Sequence, residues 1–222
     1  MSQYLWYNQA MLTSPARLPR LDEDINLSER LSRMQGQEIG PSDVVKVLQN
    51  GGVKHVLVGA HAISAWAGDP RATIDVDLIA SRPAQAKKVL SAAFPHLTVE
   101  EHPVVIRFKM NGREAIDVIR PTSSAIFKAA LKHSVKVKIA GVLADAPQLE
   151  MALALKFAAM ISITRQIKDK YQDAHDFIAM VQHNSRIDLS KIEAFGELVY
   201  SGGAKEILKL VEDAKAGRRL EF

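Results

Sequence analysis

The sequence predicts a mixed α/β domain followed by a C-terminal bundle of helices. Short apolar, β-branched runs alternate with helix-forming segments up to about residue 145. Beyond Pro147 the composition shifts to Ala, Leu and Met, and the apolar residues recur at helical spacing. We therefore divide the chain into an N-terminal arm (1–40), an α/β domain (41–145) and a helical domain (146–222).

The composition is that of a globular protein. With 222 residues, 47% of them hydrophobic, the chain can bury a substantial core. The absence of Cys excludes disulfides and thiolate zinc sites, and the seven His show no metal-ligand spacing. No apolar run reaches the roughly 18 residues of a membrane span, and the N-terminus lacks a signal-peptide core. We expect a cytoplasmic protein without a membrane partner, and its net charge of +4 permits a nucleotide or nucleic-acid partner.

The arm combines aromatic residues and prolines with an acidic run and one weak helical stripe. That stripe consists of Leu27, Leu31 and Met34. Two interpretations are equally supported by the sequence. Either the arm packs on the main domain or on a partner subunit, or it is a partly ordered tail.

The α/β domain begins with a helix, a strand and a second helix. Ser42 is a suitable N-cap for a helix that ends at residues 50–52, and residues 53–58 follow as a strand. The small residues Gly59 and Ala60 then make a turn into the second helix. Because they have no large side chains, backbone N–H groups at this helix N-terminus can approach an anion, so the turn predicts a phosphate site.

Two aspartates interrupt the next strand, residues 74–80. Asp75 and Asp77 stand at i and i+2, so their side chains share one face and their like charges repel. The neighbouring Ile74, Val76 and Leu78 are then expected to face the core. Carboxylates suit magnesium, and a pair can hold two ions for phosphoryl-type chemistry. The pair predicts a divalent-cation site.

The rest of the α/β domain reads as alternating helices and strands. The predicted helices are residues 83–93 and 123–132, and the predicted strands are 97–100, 104–110, 113–119 and 135–139. Asn111-Gly112 predicts a tight hairpin between the second and third of these strands. Lys136 and Lys138 are interpreted as the solvated face of the last strand, in preference to a phosphate-binding row.

Asp117 is a further carboxylate in an otherwise apolar strand. Either it is a further functional carboxylate, like Asp75 and Asp77, or it pairs with Arg113 or Arg120. Glu114 is a weaker candidate than Asp117 for a functional carboxylate, because its odd spacing from Asp117 directs it to the opposite face of the strand.

The helical domain contains charged residues within its apolar pattern. Lys156 lies in a stripe with Leu149, Leu153, Met160 and Ile163, where a Lys usually extends its amine to solvent. Asp169, Asp173 and Asp176 share one helical face. For Asp169 and Asp176, a salt-bridge network between helices and a direct role are equally supported. Two more helices are predicted at residues 189–200 and 204–216.

The stretch around the two aspartates resembles the signature of the DNA polymerase beta-like nucleotidyltransferase superfamily, in particular of the AbiEii-type enzymes of toxin-antitoxin and phage-defence systems. That signature is a hydrophobic residue, Gly, Gly or Ser, a helix, Arg-x-Thr/Ser and Asp-hydrophobic-Asp. The matching residues are Val58, Gly59, Ala60, Arg71, Thr73, Asp75, Val76 and Asp77. A helical segment of the same family is matched by Lys156, Arg165, Lys168, Asp169 and Asp173. Ala60 departs from the pattern and removes one hydroxyl contact, though no backbone contact.

The resemblance implies a mixed sheet of nucleotidyltransferase type and transfer of a nucleoside monophosphate from a nucleoside triphosphate to an acceptor hydroxyl. It implies Asp75, Asp77 and Asp117 as catalytic ligands of two magnesium ions. The implied substrate-binding residues are Gly59, Ala60, Arg71, Thr73, Lys156, Arg165 and Asp173. The acceptor is left open between tRNA, a protein and a small molecule, and an antitoxin protein is an expected partner. The alternative is a nucleotide-binding or toxin-antitoxin partner protein without turnover.

Overall fold

A computed structural model describes residues 21–222, so residues 1–20 of the predicted arm lie outside the described part. The helices are α1 (Leu21–Met34), α2 (Pro41–Asn50), α3 (Gly59–Ala67), α4 (Pro83–Ala93), α5 (Ala125–Ala130), α6 (Leu149–Met160), α7 (Ile167–His183), α8 (Leu189–Val199) and α9 (Gly203–Lys215). The strands are β1 (His55–Leu57), β2 (Val76–Ala80), β3 (Thr98–Glu101), β4 (Val105–Met110), β5 (Arg113–Ile119), β6 (Ser134–Ile139) and β7 (Val142–Pro147). Across residues 21–222, no helix is long and apolar enough to cross a membrane.

The main sheet is mixed, which confirms the predicted fold class. Its strand order is β1-β2-β5-β4-β3, with β2 and β5 parallel and the other neighbours antiparallel. Strand β7 was not predicted: Pro147 ends this strand instead of opening a helix, and β7 pairs with β6 in a separate hairpin. Lys136 and Lys138 are exposed on β6, as expected.

The two faces of the main sheet contact different cores. Val76 and Leu78 of β2 are fully buried in a core shared with α1, α2 and α4. The alternate residue Ile79 belongs to a second core, formed mainly by the C-terminal helices. Ile74 is 54% exposed, which corrects its predicted place in the core, because the strand begins only at Val76. Asp77 therefore lies on the sheet face that the helical bundle covers.

Helix α1 packs on the domain through a polar face. Its buried residues are Ile25, Ser28, Glu29 and Ser32. The predicted stripe is not the buried face, since Met34 is 84% exposed. The buried serines find hydrogen-bond partners on α3 and on the chain that precedes β2, so polar groups satisfied at the contact replace an apolar stripe.

His61 of α3 lies at the centre of the contact with α1. Its Nδ1 is 3.1 Å from Ser28 Oγ, and its Nε2 is 3.1 Å from Gln37 Nε2. An amide nitrogen can only donate, so Nε2 accepts and the ring proton belongs on Nδ1. Burial lowers the pKa of the His61 imidazole to about 4. The negative charge of Asp75 opposes this shift, and the positive charges of Arg71 and Arg33 add to it. The contact therefore requires neutral His61.

Folding stability should consequently fall when the pH drops below the ordinary pKa of histidine. Between the unfolded value of 6.5 and the folded value of about 4, the unfolded chain binds more protons at His61. From pH 7 to about pH 5, the wild type should lose about 2 kcal/mol more unfolding free energy than His61→Gln. Urea unfolding at both pH values measures this, with the exposed His96→Gln as control. Equal losses in wild type and His61→Gln would contradict the prediction.

Candidate functional site

A cleft of about 780 Å³ opens between the main sheet and the helical bundle. This volume is in the usual range of small-molecule sites. Every predicted site residue except Asp117 lines it: Gly59, Ala60, Arg71, Thr73, Asp75, Asp77, Lys156, Arg165 and Asp173. The sequence patterns therefore converge on one cavity, although the role of each residue in it stays a prediction.

The turn at Gly59 packs directly against Asp77. Gly59 has a φ of 68°, and a Cβ at this position would lie 2.0 Å from Asp77 Oδ2. Both the backbone conformation and the close approach require glycine. The turn thereby brings the N-terminal end of α3, with its free backbone N–H groups, next to the carboxylate.

Gly59→Ala should destabilise the protein more than an equally strained glycine substitution elsewhere. Gly52 is the matched control: its φ is 62°, but a Cβ there would meet nothing within 4 Å. We expect Gly52→Ala to cost about 1 kcal/mol of backbone strain. Gly59→Ala should add about 1–3 kcal/mol of steric strain to that cost. Urea unfolding compares the two, and equal losses would show that Asp77 is not tightly packed on the turn.

Asp75 and Asp77 form a pair of like-charged carboxylates on the wall of the cleft. The Thr73 hydroxyl donates to Asp75 Oδ1 at 2.6 Å. Burial, together with the negative charges of Asp75 and Asp117, raises the pKa of the Asp77 carboxyl well above its ordinary value. Within residues 21–222, neither Asp75 nor Asp77 forms an ion pair. A bound cation would relieve this repulsion.

Asp117 lies beside Asp77 but is bound to an arginine. The two aspartates are register partners in the parallel strands β2 and β5, and Arg107 of β4 is the partner of Asp117 on its other side. Arg107 Nε donates to Asp117 Oδ1 at 3.0 Å and Nη2 to Oδ2 at 2.7 Å. The predicted ion-pair partners of Asp117, Arg113 and Arg120, are therefore wrong.

Glu114 also lines the cleft, which corrects its predicted orientation. Its Oε1 is 2.5 Å from Arg107 Nη1, so the guanidinium is shared between Glu114 and Asp117. The cause is a β-bulge: the register with β4 shifts between Phe108 and Lys109. An extra residue in one strand interrupts the alternation of faces on which the prediction relied.

The donor set fits a divalent cation through Asp75 and Asp77. Carboxylate oxygens are the ligands that magnesium prefers, and these two form no ion pair with any residue in 21–222. In the described part of the chain, no group of three or more His, Cys, Asp or Glu is arranged to hold a metal ion. Asp117 would have to exchange Arg107 for the metal, so its place as third ligand stays a prediction.

The opposite wall of the cleft carries a buried network of cations and carboxylates. Lys156 Nζ lies 2.7 Å from both Asp173 Oδ1 and Asp176 Oδ2. Arg71 binds Asp176 with Nη2 at 3.2 Å, and Arg165 Nε lies 2.5 Å from Asp173 Oδ2. Burial acts to raise the pKa of Asp176, but Lys156 and Arg71 outweigh it and lower that pKa below its ordinary value. The network joins α6, α7 and the chain before β2.

This network corrects one expectation and supports another. The Lys156 side chain is only 9% exposed and lines the cleft, so it does not extend its amine to solvent, which is the usual behaviour of a Lys in an apolar stripe. Asp176 belongs to a salt-bridge network between helices, one of the two alternatives given for it. Arg107, which sequence reasoning missed, is the further cation of the cleft.

No protein-family model and no curated protein matches the chain. Distantly similar solved structures include an antigenic nucleotidyltransferase-like protein from Paracoccidioides brasiliensis, with a TM-score of 0.48 and 14% identity over 86% of this chain and 93% of that one. The antibiotic-resistance factor ANT(2'')-Ia has a TM-score of 0.48 and 12% identity over 79% of this chain and 94% of that one. JHP933 from Helicobacter pylori has a TM-score of 0.46 and 14% identity over 88% and 93%.

Proposed function

We propose that the chain is a metal-dependent nucleotidyltransferase that moves a nucleoside monophosphate from a nucleoside triphosphate to an acceptor hydroxyl. One observation carries the proposal: Asp75 and Asp77 share a cleft with a helix N-terminus and a row of cations, and within residues 21–222 neither carboxylate is in an ion pair. A triphosphate with divalent cations has the charge distribution that matches these walls.

The phosphate groups would lie between α3 and the helical bundle. Gly59 and Ala60 offer backbone N–H donors at the N-terminus of α3. Arg71, Lys156 and Arg165 face the same space with positive charge, although each is bound to a carboxylate of α7. Binding would therefore require phosphate oxygens to share these cations with Asp173 and Asp176. Thr73 would keep the Asp75 carboxylate oriented through its hydrogen bond.

Asp75 and Asp77 are the residues that would hold magnesium, with two ions expected. Magnesium supplies charge neutralisation at the triphosphate and lowers the pKa of an acceptor hydroxyl. In the proposed reaction the acceptor oxygen forms a bond to the α-phosphorus. The bond between the α-phosphorus and the oxygen that bridges it to the β-phosphate breaks. Pyrophosphate leaves with the electron pair, and the hydroxyl proton passes to Asp117.

Asp117 can take that role only if Arg107 releases it. Arg107 already contacts Glu114, so a shift of its guanidinium towards Glu114 would free the Asp117 carboxylate without leaving the arginine unpaired. The same ion pair favours the alternative function, a nucleotide-binding protein without turnover. In that case Arg107 would stay on Asp117 when a triphosphate is bound.

Incubation with a labelled triphosphate and cell extract separates the two functions. Each common ribonucleoside and deoxyribonucleoside triphosphate is tested with and without magnesium, and the products are separated into tRNA, protein and small-molecule fractions. Magnesium-dependent labelling of one fraction supports transfer and identifies the acceptor class. Binding of a triphosphate without any labelling would support the non-catalytic protein.

We further propose a toxin-antitoxin or phage-defence setting, on the resemblance of the Arg71-to-Asp77 motif to AbiEii-type enzymes. Induced expression of the wild type in bacterial cells should then arrest growth, and Asp77→Asn should not. Equal growth of both strains at equal protein levels would count against this setting. An antitoxin would be sought by its ability to restore growth.

A further inference from the structure

Helix α1 contributes no side chain to the cleft, yet its polar face contacts the chain that leads to Asp75. This approach segment, residues 71–75, has no regular secondary structure, so its backbone groups depend on partners from elsewhere. Ser28 Oγ donates to the Arg71 carbonyl at 2.8 Å. Ser32 Oγ accepts from the Thr73 N–H at 3.0 Å.

Gln37, in the loop after α1, completes this set of contacts. Its Nε2 donates to the Ile74 carbonyl at 3.1 Å and also contacts His61 Nε2. Ser32 Oγ in turn donates its hydrogen to the Ser28 carbonyl at 2.7 Å. This bond orients the hydroxyl so that a lone pair of Ser32 Oγ accepts from the Thr73 N–H. These side chains are all buried, and buried polar groups are costly unless they are paired. Their pairing is concentrated on the approach segment.

The approach segment connects these contacts to the carboxylates. Thr73, whose N–H is held by Ser32, donates its hydroxyl to Asp75. Arg71, whose carbonyl is held by Ser28, extends its guanidinium to Asp176 in the opposite wall. A displacement of the segment would therefore move Asp75 and Arg71 together, one on each side of the cleft.

We propose that α1 and its following loop are a positioning element of the site, in which Ser28, Ser32 and Gln37 hold the approach segment and thereby place Asp75. The inference rests on the proposed nucleotidyl transfer for its kinetic consequences, though not for its structural ones. Positioning acts through geometry, and a shift of about 1 Å can lower a rate on the order of 100-fold.

Ser32→Ala removes the acceptor of the Thr73 N–H and is the first test. We expect kcat to fall at least about tenfold and the half-saturating magnesium concentration to rise, because Asp75 is displaced. Ser32→Thr, which keeps the hydroxyl, should restore both values. The matched control is Ser42→Ala, since Ser42 is also buried and donates to Glu29 of α1 at 2.6 Å. This control should change neither value.

Amide hydrogen exchange at Thr73 tests the contact without reference to activity. Exchange should be at least about tenfold faster in Ser32→Ala than in wild type, and unchanged in Ser42→Ala. Gln37→Met serves as a second variant should Ser32→Ala fold poorly, with faster exchange expected across residues 71–75. Faster Thr73 exchange in Ser32→Ala, together with a wild type that transfers no nucleotide, would refute the enzyme and leave the positioning element standing. Unchanged Thr73 exchange, or equal kinetics of Ser32→Ala and Ser42→Ala, would overturn the proposal.

Discussion

Asp77→Asn should abolish nucleotide transfer while raising the stability of the metal-free protein. The substitution is nearly isosteric and removes a buried charge that Asp75 and Asp117, its register partner in β5, repel. Relief of that repulsion should add up to about 1 kcal/mol to the unfolding free energy. Loss of an anionic metal ligand should lower kcat more than about 100-fold, because metal ions supply several kcal/mol of transition-state stabilisation.

The gain in stability should depend on pH. Because the pKa of Asp77 is raised in the folded state, the carboxyl destabilises the wild type as the pH rises through that folded value. The advantage of Asp77→Asn should therefore be largest at neutral or alkaline pH and shrink towards pH 4. Urea unfolding across this range measures it, with the exposed Asp69→Asn as control. If Asp77→Asn were less stable than wild type at pH 8, the charge of Asp77 would not destabilise the folded protein, and the prediction would be wrong.

Lys156→Ala should be the most destabilising of the substitutions considered. It leaves Asp173 and Asp176 buried while removing the ammonium group that lies 2.7 Å from both. Removing one partner of a buried ion pair typically lowers the unfolding free energy by about 3–5 kcal/mol. Because Lys156 also lines the cleft, triphosphate affinity should fall as well. Chemical unfolding and calorimetric titration with a triphosphate measure the two effects.

Lys136→Ala is the matched control for the loss of stability. Lys136 also pairs with one aspartate, Asp145, but its side chain is 60% exposed, so its removal should cost at most about 1 kcal/mol. Equal costs at the two lysines would show that the network is not effectively buried. If folded Lys156→Ala bound a triphosphate as tightly as wild type, Lys156 would be structural only.

Most of the α/β fold could be predicted because its local signals agree with its tertiary contacts. Asn111 and Gly112 adopt positive φ values of 51° and 78°, as the predicted tight hairpin requires. Val76 and Leu78 are buried and Asp77 lies on the other face, as the alternation in β2 indicates. The short motif from Gly59 to Asp77 likewise predicted which side chains line the cleft.

The remaining features depend on long-range geometry that local patterns do not encode. The bulge in the β4/β5 hairpin determines that Arg107, and not Arg113 or Arg120, meets Asp117. A bulge-free continuation of the two-residue turn would place Arg107 opposite another residue. The buried face of α1 is polar because its partners lie more than 30 residues away, at His61 and in residues 71–75. A search for apolar residues at helical spacing could therefore not identify this buried face.

The position of the label in the product tests nucleotidyl transfer most directly. Wild type and Asp77→Asn are incubated with magnesium, cell extract and a triphosphate labelled at either the α- or the γ-phosphate. The proposal predicts that wild type transfers the α-label to an acceptor and releases the γ-label as pyrophosphate, whereas Asp77→Asn does neither. Transfer of the γ-label, or absence of α-label transfer from every triphosphate that binds, would contradict it.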